Sequence, residues 1–344
     1  MVKTDSIREK SLKYLWMQSK DWVKMAEEGE PIVADEGKGI RFTDSEGKSW
    51  IDLSGGHISV NVGYGRDEIA EAAYEQMLKI NYFPNRTTTI ATAKLAQKLA
   101  DITPGSLSRS FMTSGGSEST ETAMKIVRGY HSRRGENKRY KVISRRGSYH
   151  GFSAGVMWMG GPELGVQSKN RRTDFEPAYP GMIHAPGPNP YRCELGGETP
   201  SECAIRCAKA IEVLIDEHGS NTIAAVIAEP IADGGVVPGD EYWPMLREIC
   251  DKYGILLVVD EVITGFGRTG KMFGIEHWEG VVPDVMAVAK GITSSYLPLG
   301  AAIATKEVAD HFAGEGNTLQ HVFTASGHPV AAAAALKNIE IIEN

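Results

Sequence analysis

Three apolar runs in this chain show almost no polar alternation, and they constrain its fold more than any other feature. Residues 222–228 read TIAAVIA, 255–260 read ILLVVD, and 285–289 read VMAVA. A strand with one wet face alternates apolar and polar residues, whereas one covered on both faces stays apolar throughout. Shorter runs at 110–113, 140–144 and 301–304 join them as predicted strands. Well-punctuated helices separate the runs. Thr199-Pro200-Ser201-Glu202 sets a cap, a first-turn proline and a capping-box acid in order, and Gly219 closes the same helix. The helix predicted over 117–134 has acids in its first turn and arginines in its last, matching the helix dipole. Strands alternating with helices imply an α/β domain with a largely parallel sheet flanked by helices.

The ends of the chain have another pattern. Residues 12–27 read as a polar helix, and 40–52 alternate around a Ser-Glu-Gly turn as a hairpin does. At the other end, 329–343 read as a helix without a C-cap, which suggests a remainder beyond Asn344. With 344 residues the chain suits one large domain and part of a second. The expected division is an N-terminal segment over 1–65 belonging to a smaller α+β domain, a large domain over 66–328, and 329–344 as the helix leading to an absent C-terminal domain.

A net charge of -7 argues against a nucleic-acid partner. The pairs Arg133-Arg134, Arg145-Arg146 and Arg171-Arg172 read as solvated surface. The N-terminus has no secretory pattern, and no apolar run approaches the roughly 20 residues of a membrane span. Four cysteines in a chain of this length do not form a disulfide framework, so a reducing cytoplasm is expected. Cys203 and Cys207 stand i,i+4 on a helix. With no matching histidine pair nearby they read as half-buried thiols, and no metal site is expected.

GFGRTG at 265–270 matches the glycine pattern of dinucleotide-binding turns, and Asp284 lies near the spacing of a ribose-binding acid. The mechanics disagree. Such a turn must join a strand directly to a helix, yet Asp-Glu-Val-Ile-Thr intervenes after the strand, and glycines at 270 and 274 break up the segment where a helix should start. The charged strand ends carry more information. In open α/β sheets the carboxyl ends of strands face the ligand crevice. Asp260 ends one buried strand, Lys290 ends the next, and Ser114-Gly115-Gly116-Ser117 leads from a strand into a helix, where free amides and the dipole favour an anion. Each alone reads as an ordinary strand exit or cap. Together a phosphate anchor, a lysine and a strand-end acid describe a pyridoxal phosphate site.

These residues also carry a resemblance to a known family. NVGYGR from Asn61, TSGGSES from Thr113, SYHG from Ser148, AVIAEP from Ala225, DEVITGFGRTGKMFG from Asp260, Pro283-Asp284, AKGITSSYLPLGAA from Ala289 and FTASGHP from Phe323 stand in the order seen in class III pyridoxal-phosphate aminotransferases of fold type I. The branch they resemble is that of ω-amino acid:pyruvate aminotransferases. The resemblance implies that Lys290 forms the Schiff base with the cofactor and shuttles a proton, while Asp260 pairs with the pyridine nitrogen. It implies that Tyr149 and Val262 flank the ring and that Gly115, Gly116 and Ser117 hold the phosphate. Glu229 falls near the cofactor's O3′ side. Thr324 would reach the phosphate of a neighbouring subunit, so a homodimer with shared sites is implied. The implied reaction moves an amino group from an amine or ω-amino acid to a keto acid, with pyruvate as the expected acceptor. Arg268 reads as an interface or loop anchor.

The chain departs from that pattern at three points. The loop after Glu229 is short, Ile58 stands where many relatives carry tryptophan, and the C-terminal small domain with its carboxylate-binding arginine is absent. An aminomutase, racemase or decarboxylase of the same fold, or an inactive incomplete chain, are the alternatives.

Overall fold

The computed structural model describes residues 4–18, 20–84, 86–160, 172–232 and 234–344. Seven strands form the central sheet: β4 (Leu107–Thr113), β5 (Lys141–Arg145), β6 (Met182–Ala185), β7 (Ile223–Ala228), β8 (Leu256–Asp260), β9 (Val285–Val288) and β10 (Gly300–Thr305). Their order is β4-β10-β9-β8-β7-β5-β6. Ahead of them β1 (Ala34–Lys38), β2 (Arg41–Asp44) and β3 (Ser49–Ile51) make a separate antiparallel sheet. The β2–β3 hairpin is the one expected from alternation.

From β9 to β6 every pairing is parallel, but β10 runs antiparallel to both β9 and β4. The reason lies in the connection. A parallel return needs roughly a dozen residues or more, usually with a helix across the sheet face. Residues 289–299 hold only one short 3-10 turn, Lys290–Ile292, before β10 begins. Because β10 is reversed, β4 still points the same way as β9, and every strand of the sheet except β10 presents its carboxyl end on one edge.

Alternate residues of the buried strands serve the two faces. Val226, Leu257, Val259, Met286 and Ile303 pack with the helices Pro200–His218, Tyr242–Tyr253 and Pro329–Glu343. On the other face Ala225, Ile227, Val258, Val285 and Ala302 pack against the helix Gly116–Arg133. All six residues of β7 are buried, which explains its unbroken apolar sequence.

The capping expected before Pro200 is present, with the Glu202 amide donating to Thr199 Oγ1 at 3.1 Å. The helix predicted over 12–27 is instead two, Thr4–Tyr14 and Trp22–Glu27. Asp21 divides them because its carboxylate accepts the amides of Val23 and Lys24, starting a new helix. β6 leaves little trace in the sequence, for its four residues include a half-buried histidine and no β-branched run. Among the described residues no helix is long and apolar enough to cross a membrane.

Candidate active site

The carboxyl edge of the sheet surrounds a cavity of roughly 330 Å³. Gly115, Gly116, Ser117, Tyr149, Glu229, Asp260, Val262 and Lys290 all line it. These residues are scattered along the chain and meet only because β4, β5, β7, β8 and β9 end together. Of the expected site residues Thr324 alone lies elsewhere. It is exposed, and its carbonyl accepts the Tyr82 hydroxyl at 3.0 Å.

At the β4 exit Gly115 is extended and the helix starts at Gly116. The first amides of that helix have no intrahelical acceptor. A Cβ added at Gly115 would meet nothing within 4 Å, whereas one at Gly116 would come to 2.8 Å from Val262 Cγ1. One glycine therefore opens space beside the helix start, and the other lets the Val262 wall close over it. Ser117 Oγ is held nearby by the Phe152 amide at 3.1 Å.

The floor of the cavity is a buried chain of charges. Asp260 Oδ2 accepts from His150 Nδ1 at 2.7 Å, and its Oδ1 accepts from the Val262 amide at 3.0 Å. His150 Nε2 lies 3.9 Å from Glu229 Oε2. Glu229 in turn accepts from Arg145 Nη2 at 2.7 Å and from the Tyr149 amide at 2.8 Å. Burial disfavours a charged imidazole, but Glu229 and Asp260 outweigh it and hold His150 above its ordinary pKa. Burial likewise works against the Glu229 carboxylate, and His150 with Arg145 overcome it and keep the group ionised. The basic side chains of His150 and Arg145 thus alternate with the carboxyl groups of Asp260 and Glu229.

Lys290 stands at the β9 exit with φ +48, in the left-handed region. A lysine there carries backbone strain of about 1–3 kcal/mol, which persists only when the surroundings fix it. The fixing comes from Asn338, whose amide donates to the carbonyls of Gly291 and Ile292 at 2.8 and 3.1 Å.

The expectation that Arg145 lies on the solvated surface is overturned. Arg145 is 1% exposed and bound to Glu229, because β5 carries it into the sheet edge beside β7. Its neighbour Arg146 does remain at the surface, paired with Glu194 at 3.0 Å. Arg133 is half-buried, its guanidinium over the Phe312 ring, and Arg134 is exposed, while the Arg171 and Arg172 side chains lie outside the described residues. His150 belongs to the SYHG motif, yet sequence alone assigns it no role. A histidine closely following a strand-end arginine was the available signal for both. GFGRTG forms turns with Phe266, Gly267 and Gly270 at positive φ and is followed by bends and one short 3-10 turn, not an α-helix, so the dinucleotide reading stays rejected. Arg268 anchors that loop by donating to Asn61 Oδ1 at 2.6 Å. Asp284 binds Arg247 and the Leu257 amide, a structural role.

The fold and this edge define an α/β enzyme of the pyridoxal-phosphate aminotransferase type. A family described as "Aminotransferase class-III" matches residues 24–344, and the chain belongs to that family. An uncharacterized aminotransferase of Bacillus subtilis is 38% identical over 98% of this chain and 72% of its own length. A putrescine–pyruvate aminotransferase of Pseudomonas aeruginosa is 39% identical over 94% of this chain and 69% of its own. A thermostable (S)-enantioselective ω-transaminase from Thermomicrobium roseum superposes with a TM-score of 0.92 at 40% identity, covering 99% of this chain and 75% of that one. The chain is an aminotransferase that depends on pyridoxal phosphate and moves an amino group from an amine to a keto acid.

Glu261, next to Asp260, faces away from the cavity and is fully buried. Burial pushes its pKa from 4.5 up to about 7, against donors from Thr264, Ile275 and Gly274. The native chain therefore keeps this proton where the unfolded chain has lost it. Stability should fall as pH rises from about 4.5 to about 7, by roughly 3 kcal/mol for this group, and then level off. Thermal unfolding of Glu261→Gln across that range should lack this component of the slope; equal slopes in both proteins would refute it.

Proposed function

We propose that the cavity at the carboxyl edge is the transamination site, with Lys290 and Asp260 as its catalytic residues. The observation that carries this is one space lined at once by a helix start, a lysine and a buried acid. The residues fit pyridoxal phosphate: open volume beside Gly115 adjoins helix amides that have no intrahelical acceptor, and the buried Asp260 carboxyl group, held by His150 and the Val262 amide, lies in the same cavity. Bound there, the cofactor supplies an aldehyde that takes up amines and a ring that withdraws electrons.

The chain's own groups then have distinct tasks. The amides of Gly116 and Ser117 and the Ser117 hydroxyl receive the phosphate, and Gly115 leaves it room. Asp260 would hold a proton on the ring nitrogen, and the 2.7 Å hydrogen bond from His150 orients it. Tyr149 and Val262 would flank the ring, and Glu229 would face its O3′ side, all three lining the cavity. Lys290 Nζ takes the proton from the donor's amine-bearing carbon and later returns one to the acceptor's carbonyl carbon.

The donor enters from a second cavity of roughly 660 Å³ that shares Ile263 with the first. Its lining includes Ile58, Ile231, Val237 and Trp278. The apolar walls favour an amine with an aliphatic body, and the name of the Pseudomonas aeruginosa relative supports pyruvate as acceptor. Thr324 is read as a phosphate contact across a homodimer. Exposed Tyr74, Leu78, Ile90 and Val322 support such an interface, being 61, 70, 77 and 70% accessible. Free thiols support a reducing cytoplasm. Segment 1–65 is assigned to a smaller domain and 66–328 to the large unit, with 329–344 read as the helix leading out of that unit and packed on its core.

Incubating the cofactor-loaded protein with pyruvate and a terminal aliphatic amine should give alanine in step with amine consumed, from a particle of twice the chain mass. Alanine from no such amine would overturn the acceptor, and an active single-chain particle would overturn the shared site.

A further inference from the structure

Cys193 lies ten residues before Cys203, and nothing in the spacing joins them. The fold does. Among the described residues one group of three metal-ligating side chains lies close together, Cys193, Cys203 and Cys207, with all three sulfurs within 4.8 Å of one another. Cys203 and Cys207 are fully buried on successive turns of the helix Pro200–His218, rather than half-buried as their spacing implied. Cys193 is partly exposed on the loop leading into that helix.

The loop is clamped before any ligand arrives. Arg206 Nη1, from the same helix, donates to the carbonyls of Leu195 and Gly196 at 2.8 and 3.1 Å. The Gly196 amide closes a turn onto the Cys193 carbonyl at 3.1 Å. Gly197 approaches so closely that a Cβ there would sit 2.6 Å from the Cys203 amide. The clamp holds Cys193 beside the buried pair, its sulfur within 4.8 Å of both others.

We propose that Cys193, Cys203 and Cys207 form a three-thiolate site for a thiophilic d10 cation of the zinc type. Tetrahedral zinc, with Zn–S near 2.3 Å, sets its sulfurs roughly 3.8 Å apart. From separations of at most 4.8 Å the sulfurs would draw together by no more than about 1 Å. Binding releases three thiol protons, and the Cys207 thiol gives up its hydrogen bond to the Gly187 carbonyl, 3.5 Å away. No oxidant is needed. A water entering beside Cys193 fills the fourth position, and Arg206 offsets part of the excess negative charge. The site would staple the loop after β6 to its following helix.

The test uses the full chain, reduced, metal-free and loaded with its cofactor, titrated with Cd2+ and Zn2+. One equivalent of Cd2+ per chain should raise a sulfur-to-metal charge-transfer band, and native mass spectrometry should find one Zn2+. Bound Zn2+ should raise the unfolding temperature. Losing a partner that merely orients a ligand costs about 10–100-fold in affinity, so Cys193→Ser, the least buried change, should cost more than about a hundredfold. Its circular dichroism should match the parent. No band, a band that survives Cys193→Ser, or a disulfide among the three with no uptake after reduction would overturn the proposal.

Discussion

Lys290→Ala is expected to lower amine-dependent alanine formation by roughly a hundred- to ten-thousandfold, the range a positioned proton-transfer group supplies. The fold should survive, since the side chain ends in a cavity instead of the core. Alanine also relieves little of the strain, because φ +48 is as unfavourable for it as for lysine. Two readouts separate loss of chemistry from loss of the cofactor. Borohydride treatment followed by mass spectrometry should attach the cofactor to the parent protein at Lys290 and leave the variant unlabelled. Equilibrium dialysis should still show cofactor binding in the variant, because the helix start and Asp260 remain. Methylamine supplied in solution should restore part of the rate by replacing the missing base. Undiminished turnover by Lys290→Ala would remove that residue from the mechanism.

The second large effect is on stability. Glu229→Ala should destabilise the chain by about 3–5 kcal/mol, the usual cost of stripping one partner from a buried ion pair. Arg145, 1% exposed, would keep its charge but lose the carboxylate it binds, and the Tyr149 amide would lose its acceptor. Glu229→Gln keeps an acceptor oxygen, so its loss should be clearly smaller. Replacing both ends, as Arg145→Met with Glu229→Leu, should recover much of the stability, since the apolar pair carries no desolvation penalty. Urea unfolding of the four proteins without cofactor checks the order. If the single Glu229→Ala costs no more than the double change, the pair is not coupled as described. The same variants should also loosen His150, which has Glu229 as one of its two acids.

Much of this was legible from the sequence because the signals were local. Unbroken apolar runs marked β7, β8 and β9, and Thr199 with Glu202 marked a helix start within a residue. Asp260, Lys290 and the Gly115-Gly116-Ser117 turn could be picked out because each comes directly after its strand. What escaped depended on partners distant in sequence. Arg145 looks like half of a surface pair until β5 sets it beside Glu229, 84 residues on. β10 looks parallel from its composition, since burial on both faces says nothing about direction. The thiol cluster was hidden for the same reason, as Cys193 joins the helical pair only through a loop clamped by Arg206. Sequence thus disclosed the edge of the sheet and its charged exits, but not the pairing that gives the charges their state.

The reversed strand β10 has a consequence for how wide the cleft is. It separates the Gly115-Gly116-Ser117 turn after β4 from Lys290 after β9 by two strand spacings, about 10 Å. Because β10 starts at this edge, the loop that enters it also lies there, and Leu297, Pro298 and Leu299 line the cavity. β10 begins with Gly300, where a Cβ would sit 2.5 Å from Ser119 Oγ and 2.7 Å from Thr113 Oγ1. The strand therefore spaces the two exits, and its incoming loop supplies part of the wall between them. Its width is set by backbone hydrogen bonds, so substitutions along β10 can weaken the sheet but cannot retune that distance. Variation in the cavity's size must come from the loops above the edge, while the span between the two exits stays fixed.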